Sequence, residues 1–421
     1  MKTFSKNILL VSMAALSMTG CGSSSDNNAG TEEEHEHESS VLVSQSDNAT
    51  LSLFEEGALE ALDTDAAGNG ATLVLSETGV YAAVLANNVV NFVHGLHEEE
   101  EGEHDEEGHE HEEEAHVLDF DLTGSQVITT NGHFAVLNDG STTFIAYDDL
   151  EIITEASEDT SSLSLTETYP ALMIDEGHGL IMVFDGTDSK FYEGTEVVKS
   201  FACATPTSHG QTDELVVVSC GATGVVTVVI EEVVSVEDES VSHTFAGSTL
   251  TLDGTEANYV WQAQGHVIVG FEPGTSNYAI VELDDDSGEI VWVEGSDTGA
   301  FAIERTICDI KLDSEEQDVF VLGTGDTTNA GDKLVVLSHE GEVQKNVTLN
   351  GLSDTACDDL VMASASNSAV VVNNSAMKAY DIDAEEGDSY HVHSTYELDV
   401  SDVSNVVIFH EKNEDEAAHV H

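Results

Sequence analysis

The sequence predicts an all-β fold, a β-propeller built from four-stranded antiparallel sheets. Short Val-rich runs separated by Gly, Asp, Asn and Ser fill the chain after residue 47, and only three prolines interrupt it. No segment holds a helical apolar period for long. A turn motif, Gly-His followed by alternating apolar residues, recurs at His133, His178 and His266, which are 45 and 88 residues apart. A repeat of about 45 residues with four short strands is typical of a propeller blade.

The repeats indicate eight blades, with seven as the alternative. One blade is shared by the two ends of the domain, the run LSLFEEGALEALDTD that begins at Leu51 and the C-terminal run NVVIFHE. Sharing a blade closes the ring, so that only short, protected sheet edges remain. The other seven blades begin near Ala71, Ser125, Tyr169, Ser208, Tyr259, Thr306 and Thr355.

The N-terminal segment has the pattern of a lipoprotein signal, which we assign to residues 1–20. Lysines precede the apolar run ILLVSMAALSM, and LSMTGC then resembles a lipobox with Cys21 as the acylated residue. The run is too short for a transmembrane helix, and an ordinary secretory signal is the alternative. By resemblance to known lipoprotein sorting, Gly22 after the cysteine favours the outer membrane, facing the periplasm. Residues 21–47 are polar and predict a disordered tether, and residues 48–421 are assigned to the propeller.

The composition excludes several classes of partner. A formal net charge of −73 argues against nucleic acid and against direct contact with anionic lipid, so only the lipid anchor would hold the chain to a membrane. The ten Lys and Arg residues disfavour anionic substrates. The sequence lacks a Ser-His-Asp signature and a phosphate-binding glycine loop, so we expect that the protein is not an enzyme. We also expect a monomer. An active site at the mouth of a propeller channel is the alternative.

Four cysteines remain beyond Cys21, and an even number in an exported chain predicts two disulfides. Cys308 and Cys357 lie 49 residues apart, about one repeat, so a disulfide between adjacent blades is expected. Cys203 and Cys220 bracket a single inner-strand hairpin. A metal site of free thiols is the alternative.

Residues 94–116 read HGLHEEEEGEHDEEGHEHEEEAH, which predicts a solvent-exposed loop inserted between two strands. Neutral imidazole suits Zn(II), Cu(II) and Ni(II), and carboxylates complete such a site. The alternative is an acidic, solvating loop that binds nothing. The three Gly-His histidines are instead expected to be hydrogen-bonded turn residues. The candidate ligands in the loop are His94, His97, His104, His109, His111 and His116.

Three features of the chain resemble AztD, a family of periplasmic zinc metallochaperones with a β-propeller fold. They are the segment CATPTSHGQTDELVVVSC, the early His-rich loop, and the terminal histidines His419 and His421. The resemblance implies that His209 faces the central channel and helps to hold zinc. It also implies a partner, the substrate-binding protein of a zinc ABC importer. The chain departs from the family where further channel histidines are expected, at Gln126, Ala171 and Trp261.

These observations predict a protein of the cell envelope that captures Zn(II) on a mobile His/Glu-rich loop and relays it to the importer's binding protein. Cu(II) or Ni(II) would suit the same ligands. The alternative is a metal-free propeller lipoprotein that serves as an outer-membrane scaffold for protein–protein interaction.

Overall fold

The computed structural model describes eighteen stretches of the chain, and every structural statement below concerns these residues. The predicted signal peptide, Cys21, His97, His104, His109, His111 and the C-terminal histidines lie outside them. The described residues are 40–46, 51–55, 58–62, 70–95, 115–150, 158–163, 166–234, 241–252, 254–255, 258–284, 287–295, 306–313, 318–324, 332–349, 355–365, 367–384, 390–398 and 402–409.

The predicted eight-bladed propeller is confirmed: the strands form eight four-stranded sheets, each antiparallel throughout. The strands of blade 1 that come from the N-terminal side are β1 (Val41–Gln45), β2 (Leu51–Glu55) and β3 (Ala58–Leu62). Blade 2 consists of β4 (Thr72–Leu75), β5 (Tyr81–Ala86), β6 (Val89–His94) and β7 (His116–Thr123). Blade 3 consists of β8 (Gln126–Thr130), β9 (His133–Asn138), β10 (Ser141–Ala146) and β11 (Glu158–Asp159). Blade 4 consists of β12 (Tyr169–Asp175), β13 (Leu180–Phe184), β14 (Ser189–Glu193) and β15 (Glu196–Phe201).

The second half of the ring repeats the same plan. Blade 5 consists of β16 (Ser208–Gln211), β17 (Leu215–Ser219), β18 (Val225–Val234) and β19 (Val241–Leu250). Blade 6 consists of β20 (Val260–Gln264), β21 (Val267–Phe271), β22 (Tyr278–Leu283) and β23 (Ile290–Gly295). Blade 7 consists of β24 (Thr306–Leu312), β25 (Val319–Thr324), β26 (Asp332–Leu337) and β27 (Val343–Leu349). Blade 8 consists of β28 (Leu360–Ala365), β29 (Ser368–Asn373), β30 (Lys378–Asp383) and β31 (His391–Glu397).

Blade 1 is completed by β32 (Val403–Ile408), the last described strand, which pairs with β1 from Ile408 opposite Val41 onward. The predicted sharing of one blade by the two chain ends is therefore confirmed. The predicted boundary of the tether is wrong, because β1 lies inside residues 21–47 and the propeller begins before residue 48. The run VLVSQ is fully buried between β2 and β32, which requires an ordered strand where its polar neighbours indicated a tether.

The core is divided into eight apolar clusters, one at each boundary between neighbouring blades. The second strand of a blade is covered on both faces, which explains continuous apolar runs such as LVVVS in β17 and LIMVF in β13. The fourth strand faces solvent, so β31 alternates between exposed and half-buried residues. Each blade thus buries its faces against two neighbours, and the closed ring supplies the core.

Both predicted disulfides are present. Cys203–Cys220 spans the β16–β17 hairpin, with 5.0 Å between the Cα atoms, and Cys308–Cys357 joins the inner edges of blades 7 and 8. Within the described residues, helical structure is limited to short 3-10 turns such as Gly221–Thr223, and no helix there is long and apolar enough to cross a membrane.

Candidate metal sites

A central channel of about 570 Å³ is lined by the first strands of blades 2 to 8 and by β32. Its wall is formed by apolar side chains, uncharged polar groups such as Gln262, the carboxyl group of Glu77, and the ion pair between Lys311 and Asp309, whose nitrogen and oxygen are 3.5 Å apart. Burial raises the pKa of the Asp309 carboxyl, although Lys311 opposes this shift. Because the Lys311 ammonium group is paired with the Asp309 carboxylate, this pair offers a second cation no net attraction.

His209 lies on this wall, in β16, as the resemblance to AztD implied. Its Nδ1 lies 3.0 Å from the Tyr169 hydroxyl and its Nε2 lies 3.3 Å from the Thr129 carbonyl oxygen. The carbonyl can only accept, so Nε2 donates to it and Nδ1 accepts from the tyrosine. Burial lowers the pKa of His209 to about 4, so the ring is neutral at pH 7. No group of three described His, Cys, Asp or Glu ligand atoms includes His209, so the geometry favours a hydrogen-bonding role over the zinc ligand that the resemblance to AztD implied.

The other described histidines share one side of the ring, which we call the histidine face. In an antiparallel blade, the turn between the first and second strands and the turn between the third and fourth strands lie on the same side. Nine of the ten described histidines lie in or next to these two kinds of turn, and together they occupy blades 2 to 8. These nine residues are His94, His116, His133, His178, His243, His266, His339, His391 and His393.

The mouth of the channel opens on the histidine face, because turns of blades 2, 3, 5 and 6 surround a second cavity of about 410 Å³ that shares residues with the channel. Glu77, Asp213 and Glu214 line this mouth. Burial raises the pKa of the Glu77 carboxyl, and the backbone hydrogen bonds from Gly132 and Asn131 oppose the shift. The acidic mouth adds to the negative potential that attracts cations to this side of the ring.

Asp175, His178 and His243 form what we call the inter-blade cluster. Asp175 ends β12 and His178 occupies the following turn in blade 4, whereas His243 comes from β19 of blade 5. The Asp175 Oδ2 atom lies 2.7 Å from Nδ1 of His178 and 3.0 Å from Nε2 of His243. Burial acts to raise the pKa of Asp175, but the hydrogen bonds from the two histidines outweigh it and the pKa is lowered. The carboxylate is therefore ionised at neutral pH, as a metal ligand must be.

Asp383, His391 and His393 form a second group, the hairpin cluster, within blade 8. Asp383 ends β30 and pairs in register with His391 across the hairpin, and His393 lies on the same face of β31. The Asp383 carboxylate lies 3.7 Å from Nε2 of His391 and 3.2 Å from Nδ1 of His393. Its Oδ1 atom is buried without a hydrogen-bond partner among the described residues. Two imidazoles and one carboxylate again present the ligand types that suit zinc.

The predicted loop ligands are placed only in part. His94 and His116 are not loop residues: they end β6 and begin β7, and they lie opposite each other in the strand register. His94 is 5% exposed and stacks on Tyr81, with ring centroids 4.8 Å apart. The prediction that the solvent-exposed loop starts at His94 and ends at His116 is wrong at both ends, since the ladder continues to these residues. The histidines between them lie outside the described residues.

The sequence-based prediction missed both clusters, although two local signals were present. His178 was interpreted only as a turn residue, yet the spacing Asp175-x-x-His178 places a carboxylate beside the ring in a tight turn. The pair His391-x-His393 places two imidazoles on one face of a strand. The contribution of His243 has no local signal, because it lies 68 residues from Asp175.

Comparison with known proteins supports the fold. No family model and no curated protein matches the sequence. Two structures of AztD from Citrobacter koseri, one of them in the apo form, match with a TM-score of 0.63 and 14% identity, covering 88% of this chain and 97% of theirs. A dihydro-heme d1 dehydrogenase, NirN, matches with a TM-score of 0.46 and 9% identity over 87% of this chain and 74% of its own. The shared architecture with AztD is that of the propeller ring.

Proposed function

We propose that this chain is a zinc-binding protein of the cell envelope, which captures Zn(II) on residues 96–114 and relays it to the binding protein of a zinc importer. Cys21 would carry the lipid anchor and hold the protein to the outer membrane, facing the periplasm. The proposal includes no catalytic reaction. The observation that carries it is the placement of nine described histidines on one face of the ring, four of them in clusters with a carboxylate.

The chemistry of the histidine face supports metal capture. Imidazole nitrogen and carboxylate oxygen are the ligand types of Zn(II), and Cu(II) and Ni(II) share the preference for imidazole. The described strands β6 and β7 of blade 2 end and begin on this face, at His94 and His116, so residues 96–114 are attached to the ring on the side that carries the histidines. A net charge of −73 raises the local concentration of cations and speeds their capture.

The resemblance to AztD supports zinc as the metal and an importer's binding protein as the partner. Relay would proceed by ligand exchange, one imidazole at a time, to a tighter acceptor. Binding requires neutral imidazole, so affinity should fall as the pH drops below about 6.5.

Calorimetric titration with zinc at pH 7.5 tests the proposal. The mature chain is compared with a variant in which residues 96–114 are replaced by Asn-Gly, a turn that suits the short hairpin between the paired His94 and His116. We expect the intact chain to bind more zinc equivalents than the variant. Equal stoichiometry and affinity in the two proteins would remove residues 96–114 from the proposed function, and a lack of binding by both would refute it.

A further inference from the structure

One hairpin of the propeller is longer than the others. Strands β18 and β19 of blade 5 have ten residues each, whereas no other described strand exceeds eight. Strand β17 pairs with β18 only over Val225–Val229, so the far half of the β18–β19 hairpin extends beyond the end of β17. A propeller blade needs no such extension to bury its core, so the added length requires another explanation.

The extension places His243 against the inner turn of blade 4. Its side chain is only 6% exposed, and its Nε2 atom contacts the Asp175 carboxylate. Its Nδ1 atom is buried and has no hydrogen-bond partner in the described part of the chain. The nitrogen that faces the carboxylate, and that an ion held there would contact, is therefore Nε2 and not Nδ1.

The turn of blade 4 holds the other two side chains in place. The backbone N–H of His178 donates to Oδ1 of Asp175 at 3.1 Å, which fixes the carboxylate, and the His178 ring contacts Oδ2. Two imidazoles from two blades therefore meet at one carboxylate oxygen. The side chains of Asp175 and His178 are 23% and 37% exposed, which leaves an approach from solvent.

We propose that Asp175, His178 and His243 form a zinc site that bridges blades 4 and 5. Ligand atoms around a tetrahedral zinc lie about 3.3 Å apart, given zinc–ligand bonds of about 2.0–2.1 Å. The two contacts of Asp175, at 2.7 and 3.0 Å, reach that spacing with shifts of a few tenths of an ångström. Two nitrogens and one oxygen leave a fourth position of a tetrahedral zinc open, for a water molecule.

The site deepens the proposed function, on which it rests for the choice of zinc. Residues 96–114 would capture the ion, and the inter-blade cluster would hold it on the same face before transfer. A bound ion would also tie the extended hairpin of blade 5 to blade 4. Amide hydrogens of Val241–Phe245 should then exchange more slowly when zinc is present.

The test uses the chain in which residues 96–114 are replaced by Asn-Gly, so that their histidines do not contribute. Zinc titration and hydrogen exchange are measured for this parent and for H178Q and H243Q made in it. H391Q/H393Q is the matched control, because it removes two imidazoles from the hairpin cluster and leaves blades 4 and 5 intact. His178 lies in an exposed turn, so H178Q keeps the test valid if H243Q fails to fold.

We expect the parent to bind at least one zinc equivalent. H178Q and H243Q should lower the affinity for this zinc by at least about tenfold, and the control variant should bind it with the affinity of the parent. Zinc should slow exchange in Val241–Phe245 of the parent but not of H178Q. Unchanged affinity in H178Q, or exchange that zinc does not alter, would overturn the site. If the parent binds no zinc while the intact chain does, this site is refuted and the proposed function stands. If the intact chain binds none, both are refuted.

Discussion

The channel and the histidine face contain the same residue type in opposite settings. In the channel, both ring nitrogens of His209 are engaged by Tyr169 and Thr129, and the only described ammonium on the wall belongs to Lys311. On the histidine face, imidazoles converge on the carboxylates Asp175 and Asp383. Two properties therefore decide whether a histidine stabilises the fold or can hold a metal: the hydrogen bonds that its ring already makes, and the presence of a second ligand nearby.

This contrast predicts that stability and zinc binding can be changed separately. Substitutions at the channel wall should lower stability and leave zinc binding intact. Substitutions on the histidine face should weaken zinc binding and leave stability nearly unchanged.

The largest expected effect is on stability, from replacing Cys308 and Cys357 by Ser. This disulfide closes a loop of 49 residues between blades 7 and 8, so its loss should lower the free energy of unfolding by about 4 kcal/mol on the chain-entropy account. Denaturant unfolding measures the loss. The double variant C203S/C220S is the control with a shorter loop, 17 residues, and a cost of about 3 kcal/mol. Loss of zinc equivalents in the folded variants would contradict the predicted separation of stability from zinc binding.

A smaller loss of stability is expected for His209→Gln. The substitution disturbs the hydrogen bonds to Tyr169 and Thr129, which should cost about 1–3 kcal/mol. Zinc stoichiometry should stay unchanged. Loss of one equivalent would instead support the role of His209 as a zinc ligand.

The same variant tests a dependence on pH. The pKa of His209 is about 4 in the folded chain and about 6.5 in an unfolded one. Between these values the unfolded state binds more protons, so the folded protein should lose stability as the pH falls from about 6.5 towards 4. H209Q should lack this component when unfolding is followed across that range. Parallel pH profiles for the two proteins would contradict the assignment.

The smallest effect is expected for H391Q/H393Q in the intact chain. The side chains of His391 and His393 are 46% and 51% exposed, and their distances to Asp383 exceed those in the inter-blade cluster. Stability should therefore change by less than about 0.5 kcal/mol, and only a weak zinc equivalent should be lost. Tighter binding here than at Asp175 would reverse the expected order of the two clusters, as measured by competition with a chelating dye.

The sequence was sufficient for the ring but not for its metal chemistry. The recurrent Gly-His turns at His133, His178 and His266 predicted the blades, because each turn repeats the same hairpin. Strand β1 was missed because its five residues lie among Ser, Asn and Asp, and its burial depends on its place between β2 and β32. A local sequence pattern was sufficient to predict the hairpins, because their paired strands are close together in the sequence.

The inter-blade cluster depends on contacts that no local pattern contains. His243 reaches Asp175 of blade 4 because β18 and β19 of blade 5 extend beyond the end of β17. The disulfide between Cys308 and Cys357 was predictable by contrast, since equivalent positions of adjacent blades are always close. The sequence repeat predicts which residues of adjacent blades lie close together. It does not predict an irregular extension of one blade, which is visible only in the folded chain.

Anomalous diffraction at the zinc absorption edge, from crystals of the zinc-loaded intact chain, tests most directly whether the histidine face is where the metal binds. We predict an anomalous peak between Asp175, His178 and His243, and no peak beside His209. A peak in the channel at His209, with none on the histidine face, would contradict this assignment.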